Sequence, residues 1–128
     1  MLDPTEYESA DAVDPLTELG AAIVEEIRTV EARPVPRKDL RVCMDAMDAL
    51  LERHGPEPVF RLLHVTTSSI KRARGLGHVH IPKQRSHEWV GLLEPVCEAV
   101  LEVRRRDGRS QQRIHLRDRQ MSSDWIRL

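Results

Sequence analysis

Aromatic side chains are nearly missing from this sequence: Tyr7, Phe60, Trp89 and Trp125 are all that 128 residues contain. A core must therefore come from Leu, Val, Ile, Met and Ala, a composition that favours helices over a β-sandwich. Cysteine is scarce as well. Cys43 and Cys97 stand far apart and neither belongs to a CxxC pair, so a zinc ribbon or dithiol redox motif is excluded. Both are expected as small buried hydrophobes. No run of about 18 apolar residues exists to span a membrane, and the acidic N-terminal stretch lacks the basic-then-apolar order of a secretory signal. The expectation is a cytoplasmic protein of one domain with loose ends.

Other absences concern chemistry. Gly75-Leu-Gly77 is too short for a dinucleotide fingerprint. No serine sits in a nucleophile elbow. His64, His78, His80 and His87 have no cysteine or second nearby pair to complete a metal site, and His87-Glu88 is not followed by a histidine four residues after the first. The reading is a chain that is not an enzyme and uses no cofactor, metal or small-molecule substrate.

Acidic residues are unevenly supplied. Residues 1–32 carry nine acids against one base, Arg28, a net of −8, which leaves +7 on 33–128 of the overall −1. Between 59 and 87 there is no acid at all. That stretch holds Arg61, Lys71, Arg72, Arg74, Lys83, Arg85 and the four histidines, the charge pattern of a phosphate-facing surface. A second basic cluster, Arg104, Arg105, Arg106, Arg109, Arg113, Arg117 and Arg119, is interspersed with Asp107, Asp118 and Asp124. It reads equally as a second nucleic-acid contact or a solvated tail.

Apolar periodicity predicts helices throughout. Leu16, Leu19, Ile23, Ile27 and Val30 form one stripe, ended by Arg33-Pro-Val-Pro. Leu40, Met44, Met47, Leu50 and Leu51 form another, closed by Gly55-Pro56. Two short helices are expected over 57–63 and from Thr66 to about Gly75, with Thr66 as N-cap. His78 to Pro82 reads as an extended connector, and a long final helix over 89–103 is kinked or divided at Pro95.

The segment 59–74, VFRLLHVTTSSIKRAR, resembles the helix-turn-helix of phage-repressor, Cro and YdaS-like proteins. Leu63, Val65, Thr66 and Ile70 occupy the family's inward and capping positions, while Phe60 and His64 stand where members usually carry a small residue and a turn glycine. The resemblance implies an all-α fold of four to five helices around a helix-turn-helix at about 57–75. The helix starting at Thr67 would enter the major groove, with Thr66, Thr67, Ser68, Lys71 and Arg72 at bases or phosphates and Arg74, Lys83 and Arg85 on the backbone.

The domain layout that follows is an acidic arm at 1–15, a helical DNA-binding domain at 16–106 and a basic tail at 107–128. In the tail, Ile114, Leu116, Trp125, Ile126 and Leu128 are apolar enough for dimerisation. The functional expectation is a sequence-specific regulator of phage or plasmid type, a repressor first, which binds double-stranded DNA as a homodimer. The alternatives are an antirepressor or antitoxin-like interaction module and a small nucleic-acid-processing enzyme.

Overall fold

A computed structural model describes residues 15–34 and 40–128. The acidic arm falls almost wholly outside these residues. The described chain forms two compact units, one ending at His80 and the other running from Ile81 to Leu128. Both mix helix with strand, so the all-α expectation is overturned.

The N-terminal unit starts with helix α1 (Pro15–Glu31), where the first apolar stripe predicted it. Strand β1 (Arg41–Met44) follows, then helices α2 (Met47–His54) and α3 (Pro56–Arg72), then strand β2 (Leu76–Val79). β1 and β2 pair in parallel, from Arg41 beside Leu76 to Met44 beside Val79. The expected helical stripe through Leu40 and Met44 is thus a strand at its beginning. A spacing of four fits either period: in β1 it puts Leu40, Val42 and Met44 on the more buried side and Arg41 and Cys43 outside. Cys43 is accordingly exposed, contrary to expectation, and Cys97 is half-buried.

Ile27, Leu40 and Ile70 form a buried cluster joined by Ile23, Val30, Val42 and Ala73, which ties α1 and the sheet to α3. Glycine eases the close approach there. A Cβ on Gly75 would stand 2.8 Å from Leu40 Cδ2, and one on Gly77 would stand 2.8 Å from Ile70 Cδ1. Farther along α3, Val59, Leu62 and Leu63 are buried, as are Met47 and Leu51 of α2.

Helix α3 replaces the expected helix-turn-helix. It runs unbroken from Pro56 to Arg72, with Gly55 before it and Pro56 in its first turn. His64 is helical where the resemblance called for a turn, and Thr66 lies mid-helix and fully buried instead of capping a second helix. The apolar spacing explains both findings. Val59, Leu62, Leu63, Thr66, Ser69 and Ile70 are the buried positions of one continuous stripe, while Val65, expected in the seam, is 46% exposed.

In the C-terminal unit the expected long helix over 89–103 breaks up. It becomes helix α4 (Glu88–Leu93), a 3₁₀ turn (Glu94–Val96) containing Pro95, and strand β3 (Ala99–Arg106). His87 caps α4, its Nδ1 accepting from Trp89 N–H at 3.1 Å. β3 turns directly into β4 (Arg109–Leu116), so the expected boundary at 107 is the tip of a hairpin. Asp107 (φ 53°) and Gly108 (φ 72°) both take positive φ, as a two-residue type I′ turn requires. Two short strands, β5 (Met121–Ser122) and β6 (Ile126–Arg127), then pair with β4 in antiparallel register.

Candidate nucleic-acid interface

Side chains alternate across a pleated sheet and directly opposed residues share a face, so the register sorts the C-terminal hairpin into two faces. One face carries Val100, Glu102, Arg104 and Arg106 from β3, opposite His115, Arg113, Gln111 and Arg109 from β4. Ser122 of β5 lies opposite His115, and Arg127 of β6 lies opposite Gln111. Five arginines therefore project from one side of one small sheet.

At the base of this face a polar chain crosses three strands. Ser122 Oγ lies 2.6 Å from His115 Nδ1, and His115 Nε2 contacts Glu102 Oε1. A ring that carries its proton on Nε2 donates to the carboxylate, and its Nδ1 meets the serine hydroxyl. Glu102 Oε1 also accepts from Arg113 Nε at 3.2 Å and Nη2 at 2.9 Å. Burial works to raise the Glu102 pKa, but the hydrogen bonds from His115 and Arg113 together with their charges outweigh it and hold the carboxyl below its ordinary 4.5.

Serine, histidine and glutamate in sequence have the order of a nucleophilic triad. Here the glutamate is also paired with Arg113, and the contacts latch β3, β4 and β5 together.

Toward the tip the same face becomes a basic cradle. Trp125 is the platform: the Arg104 guanidinium carbon stands 3.8 Å from its ring centroid and that of Arg113 stands 4.6 Å away. Arg104 Nε donates to Gln111 Oε1 at 2.8 Å, which fixes the guanidinium plane. Its terminal nitrogens make no hydrogen bond among the described residues. Arg104, Arg106, Asp107, Arg109 and Gln111 line an open cavity of about 500 Å³. Cations crowd here: the pKa of Arg104 is lowered, through desolvation first and then through the charges of Arg106 and Arg113.

The residues singled out in the sequence are divided between the units. Ser68, Lys71 and Arg72 lie on the solvent side of α3 with Arg61 and His64, a basic stripe about 16 Å long at 1.5 Å per residue, and exposed Arg74 follows the helix. Thr67 is half-buried and its hydroxyl donates to the His64 carbonyl at 3.2 Å. Thr66 faces the core, away from any ligand.

Lys83 and Arg85 belong to the other unit and are engaged within it. Lys83 Nζ stands 5.4 Å from the Trp89 ring centroid, and Arg85 pairs with Glu94 at 2.9 Å. The sequence reading named Arg104, Arg106, Arg109 and Arg113 as a basic cluster but left Trp125, Gln111 and Arg127 out of it. The Asp107-Gly108 dipeptide is the signal for Gln111, because it marks a two-residue hairpin and fixes which β3 and β4 residues share a face; Trp125 and Arg127 have no comparable signal.

Residues 2–103 match a family of unknown function (DUF7504), and the chain belongs to that family. The match covers the described N-terminal unit and ends inside β3, just before the arginine cluster. No curated protein and no solved structure matches the chain. No helix among the described residues is long and apolar enough to cross a membrane.

Proposed function

We propose that this protein is a nucleic-acid-binding protein that holds double-stranded DNA by its phosphates, through the arginine face of the C-terminal sheet. The observation that carries the reading is the cradle of Arg104, Arg106 and Arg109 around an open cavity, with Arg104 braced by Trp125 and Gln111. Guanidinium groups pair with phosphate oxygens bidentately, and a braced guanidinium loses less freedom on doing so. The exposed stripe of Arg61, His64, Ser68, Lys71 and Arg72 on α3 offers a second contact of the same sign. Phosphate contacts position a protein without reading sequence, so the binding is chiefly sequence-independent and strongly dependent on salt.

The test is fluorescence anisotropy with a random-sequence duplex across a salt series. Each neutralised phosphate contributes about −0.9 to the slope of log K against log salt. The double variant Arg106→Ala/Arg109→Ala, which leaves the Trp125 stack intact, should flatten that slope by about 2. An unchanged slope, or no binding by the unaltered protein at low salt, refutes the reading. If only Arg61→Ala/Arg72→Ala flattens it, the contact belongs to α3 instead.

A further inference from the structure

The opposite face of the same sheet has the reverse chemistry. Ala99, Leu101 and Val103 of β3 share it with Leu116, Ile114 and Gln112 of β4, while Met121 and Ile126 lie opposite Leu116 and Gln112. Leu128, whose N–H donates to the Ser110 carbonyl, continues the β6 alternation onto this side. Leu101, Val103, Leu116, Met121, Ile126 and Leu128 are each between 40% and 64% exposed. Along the strands the face carries no charge until Arg105 at the tip.

We propose that this apolar face is the contact surface for a second copy of the chain. Six large side chains exposed to that degree present on the order of 500 Å² of apolar surface, in the upper part of the roughly 300–600 Å² of a typical monomer's largest patch. With Ile114, Gln112 and Ser110 the face approaches the roughly 800 Å² that each partner buries in a standard interface.

The chemistry selects the occupant. Apart from Arg105 at the tip, this pleated surface offers a charged peptide no partner, and that includes the acidic 1–14 segment of this same chain. Its complement is another apolar sheet at the usual separation of about 10 Å. A twofold axis supplies one, because an isologous contact sets each apolar patch against its own copy. Arg105, Arg106 and Arg109 at the tips repel one another if the hairpins point the same way. The axis therefore runs across the strands and places tip over base. Each copy then turns its arginine face outward, on opposite sides of the dimer.

Sedimentation equilibrium of the full chain over a wide concentration range tests this. The expected result is a monomer–dimer equilibrium, abolished by Leu101→Glu/Val103→Glu and weakened at least tenfold by the milder pair Leu101→Gln/Val103→Thr. The milder pair keeps the test decisive if the charged pair fails to fold. A monomer at every concentration, or a dimer unaffected by either pair, overturns the proposal. Flotation of a monomeric protein with uncharged phosphatidylcholine vesicles would assign the face to lipid and also overturn it. The salt slope for DNA is read on the other face, so loss of either property is distinguishable from loss of the other.

Discussion

The two units solve the problem of burial in different ways. Of the buried hydrophobic residues, Leu16, Ile27, Leu40, Met47, Leu51, Val59, Leu62, Leu63 and Ile70 lie in the N-terminal unit, and only Val90 and Leu93 lie in the C-terminal one. Exposed large hydrophobics lean the other way: Leu19, Val65 and Leu76 lie in the N-terminal unit, and Leu92 and the six of the apolar sheet face lie in the C-terminal one. The first unit is a helix-covered core. The second is a sheet held by its ladder, its Ser122–His115–Glu102–Arg113 latch and its arginine–tryptophan stack, with little core beneath it. A surface with so little apolar material committed inside is free to carry charge on one face and an interface on the other.

The tryptophans report on one unit alone. Trp89 and Trp125 both belong to the C-terminal unit, whereas most of the helix is N-terminal. Tryptophan fluorescence therefore follows one unit and far-UV circular dichroism mainly follows the other. Ile70→Asp places a charge in the cluster with Ile27 and Leu40 and should cost about 4 kcal/mol or more. In urea, the dichroism transition should move to much lower denaturant while the fluorescence transition stays. If both move together, the units unfold as one cooperative block and the division has no energetic meaning.

Legibility in the sequence followed the same division. Helix α1 is readable because its stripe is long and nothing competes with a helical period. β1 is hidden because Leu40 and Met44 are four apart, a spacing that strands and helices share, and the four-residue strand is too short to show its alternation. The single helix α3 resembles two because Val65 and Thr66 suit a seam and a cap. Only the continuous stripe from Val59 to Ile70 separates the readings. In the C-terminal unit, Val96, Val100 and Val103 imitate a helical face, while the decisive signal, Asp107-Gly108, is local and two residues long. The charge bias was plain in the sequence, but which cations share a surface depends on strand register. Composition does not encode that.

A smaller effect separates the two functional readings of α3. Thr66 is expected at the DNA from the sequence, yet it is fully buried and its hydroxyl has no hydrogen-bond partner among the described residues. A buried hydroxyl without a partner carries its desolvation cost uncompensated. Thr66→Val keeps the shape and removes that cost, so the dichroism transition should gain about 1 kcal/mol with DNA affinity unchanged. Loss of affinity without loss of stability would return Thr66 to the interface.

The smallest effect lies in the latch of the C-terminal sheet and concerns pH. Hydrogen bonds from His115 and Arg113 keep the Glu102 carboxyl below its ordinary 4.5 against the opposing pull of burial. A carboxylate with a depressed folded-state pKa binds its proton more readily when unfolded. Its contribution to stability is therefore complete above the unfolded value and is lost as pH falls through the folded one. Glu102→Gln removes the titrating group while keeping an acceptor oxygen for Arg113. The fluorescence-detected urea midpoint of the unaltered protein should fall from neutral pH to well below 4.5 by more than that of the variant. The dichroism transition of the N-terminal unit should show no such difference between the two proteins. Parallel acid limbs for both proteins in fluorescence would mean that the latch contributes nothing to the sheet, leaving the strand ladder and the Trp125 stack to hold the arginine face in place.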